Sequence, residues 1–147
     1  MEQTSTAVSL PTRDGAILSL SILGRSAAQT DFLVSVKLPW VHASREASTY
    51  AIGPPSLLFT AMAADWRGWE AEKRWEDLES RVSLLATSDK TRHVFLQVIL
   101  VGPNYRDRAD VILNYEAGQL DVMSRRVAQA FASDLATPEL LSPNPIS

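Results

Sequence analysis

The chain of 147 residues contains no cysteine and only two histidines. Without cysteine, the chain has no disulfide bonds, no thiolate zinc site and no thiol nucleophile. The histidines, His42 and His93, lie far apart in the sequence, and neither has a second ligand at a spacing such as H-E-x-x-H. We therefore predict that the protein holds no metal and no cofactor.

Glycine, net charge and long apolar runs are scarce as well. The six glycines form no G-x-x-x-x-G-K-[ST] or G-x-G-x-x-G phosphate loop, and no serine lies in a G-x-S-x-G element. A net charge of -3 provides no basic surface for nucleic acid. No apolar run approaches the roughly 20 residues that cross a bilayer, and residues 1–6 lack the pattern of a signal peptide. The sequence predicts a cytoplasmic, non-enzymatic protein that binds neither nucleic acid nor a membrane.

Alternation of apolar and polar residues predicts that most of the chain forms β-strands. The Asp14-Gly15 pair indicates a hairpin turn between the first two strands. Apolar residues on both faces of the segment 94–101 indicate that this strand is central. The predicted strands cover residues 7–10, 16–23, 32–40, 44–52, 82–86, 94–101 and 109–115.

Two segments have the apolar spacing of helices. The first follows Pro54-Pro55-Ser56 and is predicted to span residues 55–66. The second closes the chain over residues 119–135. Between them, residues 70–78 are compatible with a further short helical turn.

These elements predict a single α+β domain over residues 1–136. We expect an antiparallel meander sheet of about six strands, with two helices packed on one face. Short links between successive strands favour antiparallel pairing, so a doubly wound nucleotide-binding fold is not expected. Residues 137–147 are rich in proline and are predicted to form a flexible tail. Two passes of strands followed by a helix are visible, although residue identities do not repeat.

Three of the four tryptophans, Trp66, Trp69 and Trp75, lie close together in the sequence, with Arg67 between the first two. One interpretation is that the indole rings lock a helix and its exit loop onto the sheet, because tryptophan buries a large apolar area. The other is that they form a recognition surface, with Arg67 as an anion clamp. Packing is the simpler interpretation.

Charged residues surround these tryptophans, with six acidic and four basic residues between positions 65 and 81. Glu70 with Arg74, and Asp77 with Arg81, have the i,i+4 spacing of solvated ion pairs on a helix. A pair of carboxylates is also what glycoside hydrolysis requires. The interleaved bases favour a solvated charged face over a catalytic pair.

A Trp-x-Gly-Trp element followed by a third tryptophan is the main feature of residues 57–131. The sequence here resembles a family of small bacterial proteins with a domain of unknown function. Those proteins carry glycine before the histidine, where this chain has Arg92. The resemblance implies a bacterial cytoplasmic accessory protein and no catalytic residue. It rests on Trp66-Arg67-Gly68-Trp69, Trp75 with Leu78-Glu79, His93-Val94 with Leu96, and Glu116-Ala117-Gly118 with Leu120.

Three functions stay open at this point. The first is a non-enzymatic module that binds another protein, as an immunity or inhibitor-like factor does, through Trp66, Arg67, Trp69 and Trp75. The second is a small-ligand-binding protein or enzyme with the tryptophans as an aromatic wall. It requires a pocket of at least ~300 Å³ with Trp66 or Trp69 in its wall. The third is a structural subunit of a homo-oligomer that pairs through a sheet edge.

Overall fold

The computed structural model describes residues 6–132, which form two successive groups of four strands and a helix. A short 3-10 turn at Ala117–Gln119 leads into the second helix. The first group consists of β1 (Ala7–Pro11), β2 (Ile17–Arg25), β3 (Thr30–Leu38), β4 (Val41–Ser48) and α1 (Ser56–Ala64). The second consists of β5 (Lys73–Glu76), β6 (Val82–Ser88), β7 (His93–Val101), β8 (Arg108–Glu116) and α2 (Leu120–Ala130).

The strands form two antiparallel sheets of four strands, with the orders β1-β2-β3-β4 and β5-β6-β7-β8. The α+β class and the antiparallel pairing are therefore confirmed, and β7 is an interior strand as expected. The prediction of one meander sheet of about six strands is wrong. Helix α1 follows β4 and ends the first meander, and β5 then pairs with β6 and starts a new sheet.

Strand β5 lies in the segment 70–78, where the sequence suggested a short helical turn. Of its four residues only Trp75 is buried, so the alternation that identifies a strand is too short to recognise. Pairing with β6, which places Trp75 opposite Leu84, determines the conformation instead. The predicted helical turn is therefore wrong.

The remaining elements agree with the sequence to within a few residues. The hairpin across Asp14-Gly15 is present, and Gly15 has a φ of +94°, which favours glycine. Helix α1 ends at Ala64, two residues before the predicted end at residue 66. The predicted end of the second helix at residue 135 and the tail at residues 137–147 lie outside the described residues.

Buried side chains from both sheets and both helices form one hydrophobic core. The ring of Phe32 on β3 lies 5.8 Å from that of Trp75 on β5, and 5.0 Å from that of Phe131 in an edge-to-face arrangement. The Tyr115 hydroxyl on β8 donates a hydrogen bond of 2.7 Å to the Leu10 carbonyl on β1. These contacts join the first group to the second.

The two helices pack against each other, and each contacts an edge strand of the other group. Helix α1 contacts β5, and α2 contacts β1. In α2 the buried residues Leu120, Met123 and Val127 follow the helical period, as expected for an amphipathic helix. Helix α1 is apolar over most of its length. Because α1 packs on β5 of the other group, the end of α1 lies close to β5 and β6.

Candidate functional site

A tight turn connects the end of α1 to the segment that holds Trp69. The Gly68 N–H donates to the Asp65 carbonyl at 2.8 Å, and Gly68 has a φ of +119°. A side chain at this position would be strained in that conformation, so glycine is required. The turn leaves Trp66 exposed over 41% of its surface, while Trp69 is half-buried against the core.

Trp69 is fixed to the end of β6 by hydrogen bonds from both its backbone and its ring. Its backbone N–H donates to the Ser88 hydroxyl at 2.8 Å, and its indole N–H donates to the Ala86 carbonyl at 3.1 Å. The Lys73 ammonium lies 5.3 Å from the ring centroid and also forms an ion pair of 2.7 Å with Asp65. Trp69 is therefore held in one orientation with one side of the ring at the surface.

Trp75 has a different environment, because it points into the core. It is 4% exposed, and its indole N–H donates to the Gly53 carbonyl at 3.0 Å. Its ring packs against Phe32. Of the four residues that the sequence suggested as a binding cluster, the structure places Trp66, Arg67 and Trp69 together and separates Trp75 from them.

Two guanidinium groups contact the exposed ring of Trp66. The Arg67 and Arg92 guanidinium carbons each lie 5.1 Å from the ring centroid. Both distances are in the range of cation–π interactions, which hold the arginines in place without neutralising their charge. Arg67 comes from the α1 turn and Arg92 from the β6–β7 turn, so tertiary folding creates this arrangement.

Arg92 has a backbone conformation that is unusual for a residue with a side chain. Its φ is +69°, in the left-handed region where glycine is favoured. The Arg92 carbonyl accepts a hydrogen bond of 2.9 Å from the Ala117 N–H, which fixes the turn. Ala51, Ser80 and Tyr105 have similar positive φ values, so this conformation is not particular to the β6–β7 turn. Arg92 therefore has a backbone conformation that favours glycine, and it places a second guanidinium against Trp66.

Three cations in this region have no carboxylate partner within residues 6–132, namely Arg67, Lys90 and Arg92. The protein as a whole is acidic, with a net charge of -3. The Arg67 and Arg92 guanidinium groups flank the exposed Trp66 ring, while Lys90 lines one cleft together with Arg67, Glu70 and Asp89. We call Trp66 together with these three cations the Trp66 surface. Sequence reasoning missed Lys90 and Arg92 as site residues, because their turn lies more than 20 residues from Trp66 in the sequence.

A cleft of about 490 Å³, which we call the Trp69 cleft, adjoins this surface. It exceeds the ~300 Å³ expected of a small-ligand pocket and has Trp69 in its wall. Smaller clefts occur elsewhere, among them one of about 250 Å³ beside Arg45 and Val101. The Trp69 cleft is lined by Arg67, Gly68, Trp69, Glu70, Ser88, Asp89 and Lys90.

The Asp89 carboxylate, which lines the cleft, accepts hydrogen bonds from residues of its own turn. The backbone N–H of His93, followed by the Thr91 hydroxyl, lowers the pKa of Asp89 to about 2. A carboxylate with this pKa is a weak proton acceptor near neutral pH. Asp89 therefore shapes the turn and is poorly suited to general acid–base chemistry.

Asp77 and Arg81 do form an ion pair, but not on a solvated helix. Asp77 lies in the β5–β6 turn and is 2% exposed. Its carboxylate accepts hydrogen bonds from the Arg81 backbone N–H at 2.7 Å and from the Arg81 Nε at 2.9 Å. On the strand, Arg74 pairs with Glu76 at 3.0 Å. The prediction of solvated i,i+4 helix pairs is wrong, because the segment forms a strand and a turn.

Within residues 6–132, no three histidine or carboxylate side chains lie close enough together to hold a metal ion. The Nδ1 atom of His93 lies 2.8 Å from the Thr91 hydroxyl oxygen and 3.3 Å from an Asp89 carboxylate oxygen. Over the same residues, neither helix is long and apolar enough to span a membrane.

The fold and this site define a small α+β protein with two antiparallel sheets and an exposed, cation-flanked tryptophan beside a cleft. A family model described as a family of unknown function, DUF6228, matches residues 12–134. The match spans most of the chain, so the protein belongs to this family. No curated protein and no solved structure matches the chain. A Trp-x-Gly-Trp motif as a shared feature of the family stays a prediction.

Proposed function

We propose that this protein is a non-enzymatic binding module that recognises an acidic surface of another protein through the Trp66 surface. The observation that carries the proposal is the exposed Trp66 ring held between the Arg67 and Arg92 guanidinium groups. Tryptophan and arginine are the residue types most enriched at binding hot spots. An immunity or inhibitor-like role, and a cytoplasmic location, are consistent with this proposal.

The charge of the surface indicates the charge of the partner. Arg67, Lys90 and Arg92 have no carboxylate partner within the described residues, so a partner carboxylate meets cations that are already in place. The cation–π contacts also order the two arginine side chains before binding, which lowers the entropy lost on association. The partner is therefore expected to present Asp or Glu side chains around an apolar group that covers Trp66.

Affinity capture from the native host tests this proposal, with full-length protein as bait. Trp66→Ala and Arg67→Ala are each expected to weaken retention of the partner by about 2 kcal/mol, roughly 30-fold in Kd. Trp40→Ala is the matched control, because Trp40 is also exposed, over 79% of its surface, and lies at the β3–β4 turn. Circular dichroism establishes that each variant is folded.

Two outcomes of this experiment contradict the proposal. In the first, wild type retains no specific protein. In the second, the Trp66 and Arg67 variants retain the same proteins as wild type. Loss of retention in Trp40→Ala alone would move the binding site to the β3–β4 turn.

The Trp69 cleft favours a second candidate function, the binding of a small aromatic anion. Its volume of about 490 Å³ and the Trp69 wall fit a planar ring. Arg67 and Lys90 supply positive charge for a carboxylate or phosphate group, beside the Glu70 and Asp89 carboxylates of the same lining. Benzoate and inorganic phosphate are suitable probes. Saturable quenching of tryptophan fluorescence that Lys90→Ala abolishes would support this candidate, and a linear response to both probes would exclude it for these ligands.

A further inference from the structure

Strand β8 forms an uncovered edge of the second sheet. The other three edge strands each contact a further element, since β1 contacts α2, β5 contacts α1, and β4 contacts β6 and β7. Among the described strands, β8 pairs through its backbone with β7 alone, although the Tyr115 side chain reaches β1. It spans nine residues, from Arg108 to Glu116. An open edge of this length is a template for pairing with another strand.

Hydrogen bonds at the two ends of the β7–β8 pair show which backbone groups of β8 face the open edge. The Gly102 N–H donates to the Asp107 carbonyl at 2.7 Å, and the Ala117 N–H donates to the Arg92 carbonyl at 2.9 Å. Because alternate residue pairs of an antiparallel ladder are hydrogen-bonded, the odd-numbered residues of β8 bond to β7. The backbone groups of the even-numbered residues therefore point outward: Arg108, Asp110, Ile112, Asn114 and Glu116.

We propose that β8 pairs with β8 of a second copy of this chain, in an antiparallel arrangement about a two-fold axis at Ile112. Ile112 is the central residue of the strand, so the register spans the whole of β8. At the end of the strand the Glu116 N–H already donates to the Gln119 Oε1 at 2.9 Å, so this group adds no hydrogen bond to the pair. Its backbone groups face the open edge, and its side chain is 58% exposed. The second sheets of the two copies then form one continuous sheet, as in other two-fold interfaces built from a single self-complementary patch.

The charges along β8 complement each other in this register. Arg108 of each copy lies opposite Glu116 of the other, Asp110 lies opposite Asn114, and Ile112 lies opposite Ile112. Directly opposite residues of opposite charge stabilise an antiparallel pair, and the two isoleucines cover each other at the centre. The side chains of these even-numbered residues share the outer face of the sheet, so the pairs lie on one side.

Neighbouring two-fold registers lack this complementarity. An axis at Asp110 places the two Asp110 carboxylates opposite each other, and an axis at Leu113 places Asp110 opposite Glu116. Like charges in these positions oppose pairing. An axis at Val111 places Asp110 opposite Ile112, so this register brings no opposite charge of the second copy to Asp110. The same charges that block unspecific strand addition therefore select a single self-pairing register.

An isosteric charge exchange on β8 tests the register. Asn114→Asp places two carboxylates opposite each other at both ends of the strand pair, and we expect the dimer Kd to rise about tenfold. The double variant Asp110→Asn/Asn114→Asp exchanges the two side chains, and we expect its Kd to return close to that of wild type. Asn104→Asp is the matched control, because Asn104 is exposed in the β7–β8 turn and the change adds the same charge outside the strand. Sedimentation of the full chain over a dilution series measures each Kd.

A second variant tests the position of the axis. Ile112→Arg places two arginines against each other only if Ile112 lies opposite itself, and we expect it to leave the protein monomeric and folded. A wild-type chain that stays monomeric at about 100 µM, where even weak specific pairs associate, would overturn the proposal. A dimer that persists in Ile112→Arg, or that Asn114→Asp and Asn104→Asp weaken equally, would overturn it as well. These results do not depend on the Trp66 surface.

Discussion

At the scale of single residues, the role of each tryptophan depends on the turn or strand that holds it. Trp66 and Trp75 are only nine positions apart, yet one is 41% exposed and the other 4% exposed. The φ of Gly68 reverses the chain between them, and the pairing of β5 turns Trp75 inward. Packing in the core accounts for the position of Trp75. Trp66 exposes its apolar ring to solvent, so core packing does not account for it.

Alanine substitutions at the two positions are expected to separate these roles. Trp75→Ala removes a core side chain, its ring contact with Phe32 and its hydrogen bond to Gly53, and is expected to cost about 3–5 kcal/mol of unfolding free energy. Trp66→Ala is expected to cost about 1 kcal/mol or less, because the ring is largely solvated. Urea unfolding measures both, and equal losses would contradict the separation.

The strained backbone of Arg92 gives a second residue-scale prediction. At a position with negative φ, a variant with glycine is less stable than one with alanine. Because Arg92 has a φ of +69°, Arg92→Gly is expected to be more stable than Arg92→Ala by about 1 kcal/mol. Both variants lose the guanidinium against Trp66 and should bind a partner equally weakly. Urea unfolding of the pair provides the measurement, and a more stable alanine variant would show that the turn is not strained.

At the scale of elements, a buried hydroxyl joins the two sheets. The Tyr115 hydroxyl reaches from β8 to the Leu10 carbonyl on β1, and burial raises the pKa of Tyr115 above its ordinary value. A second tyrosine, Tyr105, makes a comparable bond of 3.1 Å from its hydroxyl to the Glu79 carbonyl, but at the surface. The two bonds have the same chemistry and differ in exposure.

Removal of each hydroxyl is expected to show how much burial adds to the contribution of such a hydrogen bond to the unfolding free energy. Tyr115→Phe should lower the unfolding free energy by about 1 kcal/mol, because a buried donor–acceptor pair is lost. Tyr105→Phe, the control, should change it by less than about 0.5 kcal/mol. Thermal or urea unfolding of both variants makes the comparison. A larger loss in Tyr105→Phe would contradict the importance of the inter-sheet bond.

At the scale of the whole molecule, the shared core predicts that the two groups of strands unfold together. The Phe32, Trp75 and Phe131 rings come from both groups, and each helix packs on an edge strand of the other group. We expect one cooperative transition, with far-UV circular dichroism and tryptophan fluorescence giving the same midpoint. Separate midpoints would show that the groups are independent folding units.

Much of this architecture could be predicted from the sequence because strand and helix periods are local. The alternation in β2, β3 and β7 and the Asp14-Gly15 turn each depend on residues that are adjacent in the chain. The same holds for the antiparallel order, which follows from short links between successive strands. The alternation of apolar and polar residues does not specify which strand a given strand pairs with, however. The same sequence pattern is therefore compatible with one sheet or with two.

The sequence by itself determined the α+β class, the order of most elements and the absence of cysteine chemistry. Only the tertiary structure decided that β5 is a strand, that Trp75 is buried, and that Arg92 and Lys90 join Trp66 and Arg67 in one region. The physical reason is distance along the chain. Arg92 meets Trp66 because two turns from different elements come together, and β5 pairs with β6 because that contact buries Trp75. Contacts of this kind depend on the assembled core and leave no periodic trace in the sequence.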